Sequence, residues 1–273
     1  MNNCPEEIKY FIDDIEVKRS LLGKIKIDHF NKPLLFQDQN LLENVDFKKS
    51  GFIVKDFVDE NKMDLLLNKV FEFLSDKFEI EINRINYNDV FKNMKNKIFH
   101  KKMEKIYKGI KVTELPFSLS FIENWVSDNL NKKLKLFSNF EEQTFLIRVV
   151  RPFSQDFNPP HRDVYIDRLR NAVNCFFPLI GVNSKSSLPI IPGSHYWPES
   201  ETIRTELNPT IDGLNFSVPS ILYKKNMTPI VLTRPKVKKG QIMFFSPYCI
   251  HGGGINLGSE TRISFEMRFK LNN

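Results

Sequence analysis

Between Arg262 and Phe269 the chain alternates without a break. Ile263, Phe265, Met267 and Phe269 fall on one side of an extended strand, and Arg262, Ser264, Glu266 and Arg268 fall on the other. A polar face of that length is either the solvent side of an edge strand or the inner wall of a pocket. Three more short apolar runs, at 144–150, 172–179 and 241–245, read as strands, and clusters of Pro, Gly, Asn and Ser separate them. Short strands with such turns predict a β-sandwich or barrel, of which the jelly roll is one form. In a jelly roll with a central site the polar face turns inward. Arg262 can then clamp a carboxylate in two-pronged fashion, and Ser264 can add a hydroxyl donor beside it.

Upstream the texture is different. Residues 6–22 carry Ile8, Phe11, Ile12 and Ile15 on one helical side. Residues 51–58 read as a strand. Asp59 then caps a predicted helix over Glu60–Phe78, with Leu66, Val70, Phe73 and Leu74 among its apolar positions. A further helix is expected over 119–136. In the run 92–111 lysines interleave with Phe91, Met94, Ile98, Ile106 and Ile110, which predicts a surface helix with an apolar buried side and a lysine-coated outer side. No repeat, low-complexity tract or Gly/Ser linker marks a boundary. The expectation is one domain over 1–273, mainly β with flanking helices: a helical part of about 1–140 wrapped on a β core of about 144–270.

Composition narrows the partners. The 25 phenylalanines predict an aromatic-rich interior. The net charge of +7 is spread along the chain and reads as solvated faces, leaving a mild preference for anionic small molecules. Aromatic and basic residues do not interleave as in strand-binding grooves, so nucleic acid is not expected. No run approaches the roughly 18 apolar residues of a membrane span. Residues 1–7 lack a basic and an apolar leader region, and Cys4, Cys175 and Cys249 can neither all pair nor show metal-type spacing. A reduced, cytoplasmic setting is expected.

Three residues point to a metal. Pro159 and Pro160 extend the approach to His161, and His161-Arg162-Asp163 on a strand would place imidazole and carboxylate on one face. One more histidine would complete the two-histidine, one-carboxylate facial triad of non-haem Fe(II) oxygenases, with adjacent positions left open. His251 is the candidate. It follows the strand at 241–245 and opens His251-Gly252-Gly253-Gly254, where the glycines let backbone pass close to a ligand. Arg262 stands eleven positions further on.

Assembled, these residues resemble the phytanoyl-CoA dioxygenase family of Fe(II)/2-oxoglutarate oxygenases over roughly 144–269, with a looser echo at Gly51-Phe52-Ile53-Val54. His161-Arg162-Asp163 matches its His-x-Asp, Pro192-Gly193-Ser194-His195 its Pro-Gly-Ser-His turn, and Gly240 to Phe245 with His251, Gly252 and Asn256 the distal histidine segment. The resemblance implies a double-stranded β-helix, a cupin-like jelly roll. It implies Fe(II) on His161, Asp163 and His251, with 2-oxoglutarate and O2 as co-substrates and Arg262 on the distal carboxylate of 2-oxoglutarate. Asn174 and Arg151 are implied near 2-oxoglutarate, with Arg148 the alternative to Arg151. His195 is implied to be structural, and Asp167, Arg168 and Arg170 lie near His161 as either substrate contacts or solvated loop. Gly253 stands where some relatives carry a serine against 2-oxoglutarate. Related halogenases lack the carboxylate ligand, so Asp163 favours hydroxylation or another oxidation, expected on a small organic molecule with release of succinate and CO2. The rival readings are a binding or isomerase-type jelly roll without oxygen chemistry, and an oxygenase acting on a macromolecule.

Overall fold

The computed structural model describes residues 7–37, 47–138 and 142–271. Its organising element is an antiparallel sheet with strands in the order Phe52–Asp56, Gln241–Phe245, Ala172–Ile180, Arg262–Leu271, Thr144–Val150 and Ile110–Lys111, with Leu134–Leu136 paired to the far end of Arg262–Leu271. The alternation in these strands sorts side chains onto two faces. On the outer face Val149, Val173, Phe177, Phe244, Phe265 and Phe269 form the main core with Leu66, Val70, Leu74, Ile122 and Val126 of the flanking helices. Each such side chain contributes roughly 1.5–3 kcal/mol by leaving water. On the inner face the register sets Arg268 opposite Asn174, Glu266 opposite Phe176, and Ser264 opposite Arg148. The charged face of the last long strand is therefore the lining of the barrel and not an outer edge.

The helix over Glu60–Phe78 forms as expected. The Asp59 carboxylate accepts the Lys62 N–H at 2.9 Å, and Glu79 closes the end in the left-handed conformation. The helix expected over 119–136 stops at Leu130. Asn131 takes a φ of 49°, and Leu134–Leu136, alternately buried and exposed, leaves to join the sheet. The lysine-rich run is two helices, Tyr87–Lys92 and Asn96–Lys105; Phe99 takes a buried place, while Ile98 faces solvent.

The expected N-terminal helix is a β-hairpin, Glu7–Ile12 and Ile15–Leu22; Glu6 itself lies outside the described residues. The buried set is Ile8, Tyr10, Ile12, then Val17, Arg19, Leu21, a period of two and not of 3.6. Asp13 and Asp14 both take positive φ, the backbone that a two-residue hairpin turn requires. This hairpin continues a second sheet, in the order Leu214–Asn215, Thr210–Ile211, Ile15–Leu22, Glu7–Ile12, Val231–Leu232, and a smaller one joins Ile221–Lys224, Thr202–Thr205 and Ile25–Ile27. Ile8, Tyr10 and Ile12 pack with Leu232 and Ile250 in a second core. The architecture is a jelly roll with helices on the outer face of its large sheet, and the first strands of the chain help to build its second layer. No helix among the described residues is long and apolar enough to cross a membrane.

Candidate metal centre

His161 and His251 face each other across an isolated antiparallel bridge, in which each backbone N–H donates to the other's carbonyl at 2.9 and 3.0 Å. Asp163 does not continue a strand, as the sequence suggested; it opens a short 3-10 turn, Asp163–Tyr165. Its carboxylate still reaches the same point. Oδ1 lies 3.2 Å from His161 Nε2 and 3.9 Å from His251 Nε2. The three ligand atoms fall within 4.8 Å of one another, and all three residues are buried.

Proton placement follows from the carbonyls. His161 Nδ1 donates to the Pro159 carbonyl at 2.7 Å, and His251 Nδ1 donates to the Cys249 carbonyl at 3.0 Å. The Nε2 atoms are thereby left with lone pairs facing Oδ1. Burial first, and then the neighbouring His161, pushes the His251 pKa down to about 4. Three electron-pair donors aimed at one point fit a divalent cation. The other carboxylate oxygen, Oδ2, is occupied: Asn174 donates to it at 2.9 Å and Arg268 at 3.1 Å. Burial alone would raise the Asp163 pKa, but the Arg268 guanidinium together with His161 and His251 outweighs it and keeps the carboxyl well below its usual range. Asp163 thus offers one oxygen to a metal while the other is held.

Arg162, between the two ligands in sequence, turns the opposite way. Its buried guanidinium pairs with Glu199 and donates to the carbonyls of Ser194 and Trp197 at 3.1 and 3.2 Å. Tyr165 donates its hydroxyl to the same Glu199 at 2.9 Å. Ser194 in turn accepts the Ile250 N–H at 2.8 Å. The Pro-Gly-Ser-His turn therefore ties the segment of His161 to that of His251. His195 lies within this turn, with Nδ1 3.6 Å from Cys249 Sγ, and burial pushes its pKa down to about 4. Gly252 and Gly253 both have positive φ; a Cβ would sit 2.9 Å from the Pro159 carbonyl at the first, and 2.8 Å from Tyr10 and Pro160 at the second. There is no room for a serine at 253 without displacing the N-terminal hairpin.

One cavity joins the triad to Arg262, Asn174, Arg148, Glu266 and Arg268. Arg262 is buried, and its Nη1 donates to the Ser186 carbonyl at 2.6 Å, but its Nε has no partner and it has no carboxylate among the described residues. Burial pulls its pKa down to about 10. Ser264 Oγ, fully buried on the same strand, is also unpartnered. A buried cation lining the cavity with no carboxylate partner among the described residues fits an incoming carboxylate; Ser264 shares its strand face but does not itself line the cavity.

Arg151 is elsewhere. Asp156 takes its Nε at 2.7 Å and one Nη at 2.8 Å, Asn96 and the Met94 carbonyl take the rest, and its guanidinium lies 3.9 Å from the Phe99 ring centroid. It does not line the cavity. Asp167 and Arg168 are exposed and do not line it either. The sequence reading missed Arg268 and Glu266 as site residues, although the alternation starting at Arg262 already placed them on its face.

The family model described as phytanoyl-CoA dioxygenase matches residues 47–264. No curated protein matches the chain. Among solved structures, EvdMO1 is similar with a TM-score of 0.50 and 13% identity, over 83% of this chain and 49% of that one. AviO1 from Streptomyces viridochromogenes Tue57 gives 0.49 and 12%, over 82% and 91%. The non-haem, α-ketoglutarate-dependent epimerase SnoN from nogalamycin biosynthesis gives 0.47 and 13%, over 82% and 79%.

Proposed function

The chain belongs to the phytanoyl-CoA dioxygenase family, and on that premise we propose that it is an Fe(II)- and 2-oxoglutarate-dependent oxygenase that hydroxylates a small organic substrate. The observation that carries the reading is the convergence, in one cavity, of His161, Asp163 and His251 with Arg262, a buried arginine that has no carboxylate partner among the described residues. His161 Nε2, His251 Nε2 and Asp163 Oδ1 would hold the metal. Arg262 and Ser264 would take the distal carboxylate of 2-oxoglutarate. Iron and 2-oxoglutarate would together supply the oxidising chemistry from dioxygen, with succinate and CO2 released.

The residues of the chain do the rest. The two backbone carbonyls fix the imidazole tautomers, and Asn174 with Arg268 keeps the carboxylate on a single oxygen. A metal held this way would keep room for co-substrates. Phe176, Phe245 and Leu188 exclude water around the buried arginine.

The test is anaerobic titration of Fe(II)-loaded protein with 2-oxoglutarate, following the weak visible metal-to-ligand charge-transfer band. The band is expected to form, and to be lost in His161→Ala. If iron binds and no band forms, a jelly-roll binding or isomerase-type protein becomes the better reading. If iron does not bind under reducing conditions, the triad assignment fails. In the same assay Arg262→Leu is expected to weaken 2-oxoglutarate binding by about 2–5 kcal/mol, as for a buried charge pair losing one partner. An unchanged 2-oxoglutarate requirement would remove Arg262 from this role.

A further inference from the structure

If the chain is the oxygenase proposed above, the charge of its loaded cavity selects the substrate. Three arginines line it, Arg148, Arg262 and Arg268, against two carboxylates, Asp163 and Glu266, for which they are the cationic neighbours. A third lining carboxylate, Asp156, is already neutralised by Arg151 at 2.7 Å. Neutral histidines add nothing. Iron(II) brings two positive charges and 2-oxoglutarate two negative ones, so they cancel. One positive charge is left over.

Its place can be found by elimination. Arg268 is committed to Asp163 at 3.1 Å. Arg262 lies against Ser186, inside the barrel, where 2-oxoglutarate would meet it. Arg148 is the outermost of the three. Its side chain is 41% exposed, and its Nε contacts a Glu266 oxygen at 3.0 Å; Glu266 is itself 28% exposed. Burial would push the Glu266 pKa up, but Arg148, and then Arg268, hold it down, so this carboxylate answers to two cations at once. Arg148 is therefore only partly neutralised, and it lines the same cavity as the metal-ligating Asp163. A purely structural pair at this position would gain little, because an exposed ion pair contributes about 0–1 kcal/mol. Val150, two residues along the same strand as Arg148, and Phe157 add apolar lining. A long acyl chain laid along the strand from Arg262 to Arg268 would have to cover Glu266 and Arg268, at the cost of their hydration.

We propose that the substrate is a small polar monocarboxylate whose carboxylate pairs with Arg148 at the cavity mouth, and that Glu266 is the internal anion it competes with.

The test uses full-length protein loaded with Zn(II), which is diamagnetic and inert to oxygen, and with saturating 2-oxoglutarate to occupy Arg262. Saturation-transfer NMR then compares lactate, propionate and benzoate with their primary amides and with palmitoyl-CoA. Each acid is expected to bind about tenfold better than its amide, the size of one charge-assisted pair. Arg148→Met should bring acid and amide to parity, Arg148→Lys should keep part of the preference, and Glu266→Gln should strengthen acid binding severalfold by removing the competing carboxylate. Equal binding of acids and amides, an acid preference that persists in Arg148→Met, or binding of palmitoyl-CoA alone would overturn the proposal. If 2-oxoglutarate itself does not bind the metal-loaded wild type, it is the underlying oxygenase reading that has failed. The wild-type acid–amide comparison and Glu266→Gln keep the test decisive even where Arg148→Met fails to fold.

Discussion

Asp163→Ala is expected to abolish iron-dependent turnover and to lower the stability of the metal-free protein at the same time. The catalytic part is simple. Two imidazoles remain, the only anionic ligand is gone, and a hard divalent ion loses the oxygen that anchors it. The stability part comes from the other carboxylate oxygen. Oδ2 is the partner of Arg268 at 3.1 Å and of Asn174 at 2.9 Å; without it Arg268 keeps only the more distant Glu266, and the Asn174 amide loses its acceptor. Asn174 Oδ1 and Arg268 Nε are already unpartnered. Removing one member of a buried pair costs about 3–5 kcal/mol, and the lower end applies because Arg268 keeps some access to solvent. The two effects separate in Asp163→Asn. That side chain retains the shape and an acceptor, so it should recover much of the lost stability while leaving metal-dependent activity absent. Metal stoichiometry and thermal unfolding, measured on the same samples, check both halves. A stoichiometric iron site with wild-type turnover in Asp163→Ala would sink the ligand assignment.

The last long strand explains why so much of the site could be read in advance. Its alternation fixes which side chains share a face, and the packing of Ile263, Phe265 and Phe269 against the flanking helices turns the other face toward the cavity. Arg262 and Ser264 were legible for that reason. So were Arg268 and Glu266, but nothing within one strand says that Arg268 will meet Asp163; that contact depends on the pairing of Arg268 with Asn174 and on a turn 105 residues away in sequence. Arg151 shows the opposite limit. It directly follows a strand that borders the cavity, yet Asp156, five residues on, pulls it out of the lining. The N-terminal hairpin was misread because Ile8, Phe11, Ile12 and Ile15 satisfy a helical spacing by chance. The strand pattern Ile8, Tyr10, Ile12 uses a tyrosine whose hydroxyl donates to the Gly253 carbonyl at 2.9 Å, a partner that only the folded chain supplies. Helix ends behaved likewise: the Asp59 cap was visible locally, whereas the stop at Leu130 depends on Leu134–Leu136 finding the edge of a distant strand.

The second large effect is expected far from any ligand atom. Glu199→Ala should destabilise the protein by about 3–5 kcal/mol, because it strips the buried Arg162 of its counter-charge. Arg204, whose Nε lies 3.5 Å from the other Glu199 oxygen, and Tyr165, whose hydroxyl donates to it at 2.9 Å, lose a partner as well. For a chain of this size each kcal/mol shifts the melting temperature by about 2–4 °C, so a fall on the order of 10 °C follows. Arg162 lies between His161 and Asp163, and its hold on the Ser194 turn reaches Ile250, next to His251. Metal affinity should therefore fall too, by roughly 10–100-fold, as when outer supports of metal ligands are removed. The double variant Arg162→Met, Glu199→Leu distinguishes the two roles. Replacing a buried ion pair by apolar side chains of similar volume is often neutral for stability, so the melting temperature should largely return. Metal affinity should not return, because methionine cannot donate to the carbonyls of Ser194 and Trp197 that set the turn. If affinity recovers together with stability, the Arg162–Glu199 pair is packing alone, and the alignment of His161 with His251 must come from their mutual backbone bridge.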